Sequence, residues 1–290
     1  MSASGETGQA TYAVCAVGDA VWRPPTRDLG DAAAWYAAVS RGRWQPNAVV
    51  LPPVTLDHRI ERYTASAGVG SSGPGSQDLL AAALAGFGSS ALGLLRASGG
   101  LLVLLVPPPL RAHVWHPRAG RGWCRRYAVV PAESPLGTVA HELAHLLLGW
   151  PDNAGPGGPG EHCLMATGGL RQGGLDPAEP CASLLLAAGW REPVTLDRSL
   201  TVAALADLPD CVGAISWAGR QVVVGCVAGR LLVLDADQPL RPRLLAALPV
   251  ADRRQAPVLG VVAAILRARW RHRTERPGPG TRSHGSLRRQ

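Results

Sequence analysis

The chain has 290 residues, 47% of them hydrophobic and 17% charged, a balance that excludes a disordered chain and allows one large or two small cored domains. Its 35 glycines and 25 prolines follow no three-residue period, which excludes a collagen-like fibre. Every one of the 29 basic residues is Arg, and the net charge of +8 is concentrated in residues 267–290, where eight Arg face one acid; residues 1–266 are close to neutral. The basic end reads as a solvated, disordered tail, with contact to nucleic acid or anionic lipid as the alternative, and no specific nucleic-acid partner is expected. No stretch approaches the ~18–20 uninterrupted apolar residues of a membrane span, so no transmembrane segment is expected. Residues 1–24 lack a basic start followed by an apolar run, so no secretory signal is visible. None of the six cysteines forms a C-x-x-C pair, which argues against a zinc ribbon or a thioredoxin-type site and leaves buried free thiols as the simplest reading.

Residues 1–10 are small and polar and read as a flexible start. Residues 11–17 predict a buried strand, and residues 31–40 (DAAAWYAAVS) a helix with Asp31 as N-cap. Residues 47–51 read as a strand closed by Pro52 and Pro53, and residues 68–75 as a Gly/Ser loop. Residues 76–97 predict one long apolar helix, weakened by Gly86 and Gly88. Short strands are expected over residues 101–106, 112–116 and 126–130. The best-marked helix covers residues 135–148: Ser134 can cap it, Pro135 suits its first turn and Gly149 supplies a left-handed stop. A Pro/Gly-rich loop over residues 151–160 and a short helix over 182–188 come next. Beyond a boundary near Glu192 the composition turns β-branched, and residues 212–217, 221–227 and 231–234 predict a meander turning at Ala218-Gly219 and Ala228-Gly229.

Chemistry is concentrated at His141-Glu142-Leu143-Ala144-His145. Residues four apart on a helix lie on one face, so the two imidazoles can hold one metal ion from the same side. Glu142 sits about 100° round the helix, close enough to take a proton from a metal-bound water. This is the H-E-x-x-H arrangement of zinc hydrolases, with two His ligands and a Glu general base. Val139, Leu143, Leu146 and Leu147 give the same helix an apolar stripe opposite the two His. Downstream, Met165 in the run EHCLMATG fits the tight methionine turn that lies under the ligands of metzincins.

The runs HELAHLLLGWPD, HCLMATGG and PCASLLLAAGWREPVTL, with WYAAVSRGRW upstream, resemble the immune-inhibitor-A-like metallopeptidases and are also similar to snapalysin, whose third ligand is Asp. The resemblance covers roughly residues 30–200 and is densest from Thr138 to Trp190. It implies a secreted zinc endopeptidase with His141, His145 and Asp152 as ligands, Glu142 as base and Met165 beneath. It also suggests a Cys163–Cys181 disulfide pinning the floor of the site, with Cys15–Cys124 and Cys211–Cys226 as the remaining pairs. Disulfides agree with secretion and the missing signal disagrees, which leaves a misassigned start, unconventional export or a cytoplasmic protein with free thiols as the alternatives.

One spacing departs from the family pattern H-E-x-x-H-x-x-G-x-x-H/D: Gly149 lies four residues after His145 instead of three, and Asp152 seven instead of six. An extra helical residue rotates the downstream chain by about 100°. The turn must absorb this for Asp152 to reach a metal; His162 and Glu161 are the nearest alternatives, and Asp176 a more distant one. His113 and His116, three apart on a predicted strand, point to opposite faces and are poor joint ligands. The expected architecture is α+β: a zincin-like domain over residues 11–191 with a mixed twisted sheet above the site helix, a small β-rich region over 192–266, and the basic tail. The expected function is zinc-dependent hydrolysis of protein or peptide substrates by a monomer, against a catalytically degenerate relative that acts as a binding module.

Overall fold

The computed structural model describes residues 8–19, 22, 29–63, 74–108, 110–115, 123–208 and 211–274. In chain order, strand β1 (Gly8–Gly18) is followed by helix α1 (Gly30–Val39), strands β2 (Trp44–Val50) and β3 (Val54–Thr55), helices α2 (Pro74–Ala85) and α3 (Ser89–Ala97), strands β4 (Leu101–Val106), β5 (His113–Trp115) and β6 (Arg126–Pro131), and helix α4 (Leu136–Leu143). Helix α5 (Ala182–Ala187), strand β7 (Glu192–Thr195), helix α6 (Val202–Ala206), strands β8 (Cys211–Trp217), β9 (Arg220–Val227), β10 (Arg230–Asp235) and β11 (Arg243–Pro249) and helix α7 (Val258–Thr274) complete the path. The protein is thus α+β with two sheets. No helix among the described residues is long and apolar enough to cross a membrane.

The first sheet has the order β2-β1-β4-β6-β5, with β3 added beside the end of β1. β1, β2, β4 and β6 run parallel, while the short edge strand β5 is antiparallel to β6. The central strands carry near-continuous apolar runs (YAVCAV in β1, LLVLLV in β4, YAVV in β6) because both faces are covered. Tyr12, Val14, Val103, Leu105, Ala128 and Val130 face the core shared with α1 and α4. Ala13, Cys15, Leu102, Leu104, Tyr127 and Val129 face α2 and α3. The sheet is therefore the middle of three layers.

In the second sheet, ordered β11-β10-β9-β8-β7, the expected meander forms, and β7 joins it parallel to β8. Ala218-Gly219 and Ala228-Gly229 all have positive φ (50°, 77°, 47° and 72°), as a type I′ hairpin turn requires. The boundary near Glu192 coincides with the start of β7 but not with a break in the core. Val212, Val223 and Leu234 pack in the same cluster as the site helix. The opposite face packs on α6 and α7 through Val202, Leu205, Val258 and Val262.

Several expectations need correction. The strand expected from residue 11 begins at Gly8, three residues earlier and inside the start expected to be flexible. The single helix over residues 76–97 is two, α2 and α3, because two glycines within three residues remove the propensity that would carry the helix across. Asp31 is not an N-cap: Leu29 holds that position in a left-handed conformation, and Asp31 lies in the first turn. Nor does Ser134 cap the site helix, whose N-cap is Pro135. Helix α7 runs to Thr274, into the region expected to be disordered from residue 267. His116, most of the Gly/Ser loop, the side chain of Cys211 and the chain beyond Thr274 lie outside the described residues.

Candidate metal centre

Two contacts seat the site helix. Gly137 lies so close to the loop below that a Cβ there would come within 1.9 Å of the Gly169 carbonyl oxygen. The Tyr36 hydroxyl, wholly buried on α1, donates a 2.6 Å hydrogen bond to the Ala140 carbonyl. Val139, Leu143 and Leu146 point into the core as the apolar stripe predicts, which turns His141 and His145 outward to a cleft of about 380 Å³.

The helix does not continue as α to its end. Residues Ala144–Leu148 wind as a π turn, and the Gly149 amide donates to the Ala144 carbonyl five residues back. This wider turn takes up the one residue by which the spacing exceeds the family pattern. Gly149 closes it at φ 67°, ψ 20°, a conformation that costs glycine nothing. The carbonyls of His145 and Leu146 lose their usual helical donors there, and Arg126 Nη1, from the start of β6, donates to both at 2.9 Å.

The chain then swings back. Asp152 Oδ1 stands 3.1 Å from His141 Nε2 and 3.4 Å from His145 Nε2, and the two Nε2 atoms are 3.0 Å apart. Each ring is oriented from its other nitrogen: His141 Nδ1 bonds to the Leu164 carbonyl at 3.0 Å and His145 Nδ1 to the Trp150 carbonyl at 2.5 Å. Since a carbonyl only accepts, each Nδ1 carries the proton, and each Nε2 of a neutral ring presents a lone pair to the common centre. Three converging electron-pair donors form a group that can hold a metal ion. His162, Glu161 and Asp176 are not part of it: His162 lies 3.9 Å from Glu161, and Asp176 pairs with Arg171 at 2.9 Å.

Asp152 is held well below the ordinary carboxylate range, first by the hydrogen bonds it accepts from the two imidazoles when their Nε2 atoms carry protons. His141 is raised: burial opposes its proton, but the bonds to Asp152 and the Leu164 carbonyl and the charges of Glu142 and Asp152 outweigh that. Glu142, next to the ligands, is 7% exposed, and its buried Oε2 has no hydrogen-bond partner. Burial raises its pKa. A buried carboxylate oxygen with no partner is costly for folding alone.

Met165 is wholly buried, in a turn whose backbone meets the site twice: the Leu164 carbonyl orients His141, and the Met165 carbonyl accepts from the Asn153 amide at 2.6 Å. Cys163 and Cys181 lie side by side below it as free thiols, with the Cys181 amide donating to Cys163 Sγ at 3.2 Å. Cys15, Cys124 and Cys226 are also free thiols, so the remaining disulfide pairs are not formed. His113, on the edge strand, lines the cleft with Ala112 and Val114 and bonds through Nδ1 to the Arg111 carbonyl at 2.7 Å. It is not part of the His141-His145-Asp152 group.

Arg126 has no distinctive signature in the sequence. The available signal is a lone Arg opening an otherwise apolar strand, RYAVV, which by itself reads as a strand end. Neither a protein-family model nor a curated protein matches the chain.

Proposed function

We propose that the protein is a zinc-dependent endopeptidase with a zincin-like domain, in line with its resemblance to the immune-inhibitor-A-like metallopeptidases. The observation that carries this reading is the convergence of His141, His145 and Asp152 beside the unpartnered, buried Oε2 of Glu142. The donor set of two neutral imidazole nitrogens and one carboxylate oxygen suits zinc and matches three-ligand catalytic sites, which keep one position open. Bound there, zinc would supply Lewis acidity, polarising a carbonyl and acidifying water.

The rest is work for the chain's own groups. Glu142 takes a proton on its carboxylate from the attacking water and hands it to the leaving amine; its raised pKa brings it nearer the neutral range in which both transfers are effective. The antiparallel strand β5, last in the sheet among the described residues, borders the cleft, and an extended peptide would add beside it as a further strand. The π turn supports this reading over a catalytically degenerate binding module, because the shifted spacing that motivated the latter is taken up by the helix itself. A secreted location follows from the resemblance alone.

The test is Glu142→Gln in the full chain. Zinc content by elemental analysis should remain near that of the native protein, while casein hydrolysis falls by about 10²–10⁴-fold. Hydrolysis unchanged by the substitution, or a native protein that retains no zinc, overturns the proposal.

A further inference from the structure

Asp152 poses a positioning problem. Its side chain is 69% exposed, so packing does not hold the carboxylate over the imidazoles. The chain on either side must do so. On the N-terminal side, Trp150 is buried against Trp190, with ring centroids 5.4 Å apart, and its carbonyl is fixed by His145. On the C-terminal side stands Asn153, 6% exposed. Its amide donates to the Met165 carbonyl and its side-chain Nδ2 donates to the Leu240 carbonyl at 3.1 Å.

Leu240 belongs to the second sheet, in the connection between β10 and β11. That connection is itself held. Arg220 on β9 pairs with Asp235 and, at 2.8 Å, with Asp237, while Asp237 Oδ1 accepts from the Gln221 amide at 2.7 Å. A second tie links the same parts: the Leu244 amide of β11 donates to the Gly157 carbonyl at 2.8 Å. The loop that carries the third ligand is thus fastened at both Asn153 and Gly157 to the C-terminal sheet.

We propose that Asn153 is a positioning residue for Asp152, and that the β10–β11 connection holding it is a working part of the metal centre. The β-rich region thereby sets the third ligand. This rests on the reading of His141, His145 and Asp152 as a metal site. A ligand on an exposed loop costs ordering entropy each time it binds, and a donor that pre-orders the loop lowers that cost. Asn153 is suited to this role because it is buried, polar and adjacent in sequence to the ligand.

The experiment uses the full chain and zinc alone. Zinc affinity is measured by competition with a chromophoric chelator, and the cobalt-substituted protein is examined by visible absorption, which reports the number and geometry of ligands. Asn153→Ala and Asn153→Asp should each weaken zinc by about tenfold or more and change the cobalt spectrum. The Asp variant keeps the shape but removes the donor. Arg220→Ala, at a surface position far along the chain, should shift both readouts in the same direction by a smaller amount. Zinc affinities and cobalt spectra of the Asn153 variants within about twofold of native, while His145→Ala abolishes binding, overturn the proposal and leave the metal site standing. Should the Asn153 variants not fold, an unchanged affinity in Arg220→Ala overturns it equally. Native protein and His145→Ala binding zinc equally poorly overturns the metal reading itself.

Discussion

Arg126 Nη1 lies 2.9 Å from the carbonyl oxygen of His145, which ties the start of β6 to the turn carrying the second imidazole. The same nitrogen reaches the Leu146 carbonyl. Where a widened turn leaves two acceptors exposed, a guanidinium supplies the donors from another element. Arg126→Ala should therefore act on the metal centre without touching a ligand. We expect a loss of about 1.5–3 kcal/mol in stability, the usual worth of hydrogen bonds from a charged group, and weaker zinc binding. Thermal melts with and without zinc check this; an unchanged difference between the two melts contradicts it.

The pH dependence of the metal-free protein has a definite sign. Asp152 is lowered on folding, so its contribution is present above its unfolded value near ~4 and is lost as pH falls toward the folded one. His141 is raised, so its contribution is complete below ~6.5 and is lost as pH climbs through the folded value. The pair thus helps most between roughly pH 4 and 6.5 in the presence of a chelator. Zinc bound as proposed would reverse the upper limb, since it would need His141 neutral: affinity should rise by about tenfold per pH unit for each proton displaced, until that proton is gone. Calorimetry in buffers of different ionisation enthalpy should show proton release at weakly acid pH.

The thiols divide by position. Burial pushes Cys15 and Cys124 each up to about 12, so neither should react with iodoacetamide at neutral pH until the protein unfolds. Cys163 is also pushed up by burial, but its hydrogen bond holds Cys181 down. These two are neighbours, and oxidation should join them and no other described pair. Peptide mapping without reductant after mild oxidation checks this; a bridge from Cys15 to Cys124 contradicts it.

Both hairpin turns of the meander put alanine in a left-handed conformation, at φ 50° and 47°. Asparagine accepts that region far more readily. Ala218→Asn and Ala228→Asn should each raise stability by about 0.5–1 kcal/mol, measured by urea denaturation, with zinc affinity unchanged.

Much of the site was readable from residue types alone. A His pair four apart fixes a common face, and a glycine after an apolar run marks a helix end; both depend on local backbone geometry. Asp152 was readable as a candidate, but its arrival at the imidazoles depends on the π turn, which no residue type announces. The acceptors that orient the rings are carbonyls of Leu164 and Trp150, and a carbonyl leaves no mark in a sequence. Ser134 and Asp31 show the opposite failure: each has a good capping side chain, yet the N-cap of its helix is another residue, Pro135 in one case and Leu29 in the other. The continuity of the core across Glu192 was hidden for a similar reason. Composition changes there because strands replace helices, while the buried face of the new sheet meets the old core.

Insertions are normally accommodated in surface loops, where the backbone is free to bulge. Measured against the metallopeptidase spacing that the sequence resembles, one extra residue lies between His145 and Asp152 here, and the π turn accommodates it as a local change of pitch. Removing one residue from among Leu146, Leu147 and Leu148 should let the segment rewind as an ordinary α-helix with both imidazoles undisturbed. That outcome would make a single-codon change in length tolerable beside the proposed metal centre, and would make the number of residues between its donors a poorer guide to kinship than the shape they enclose.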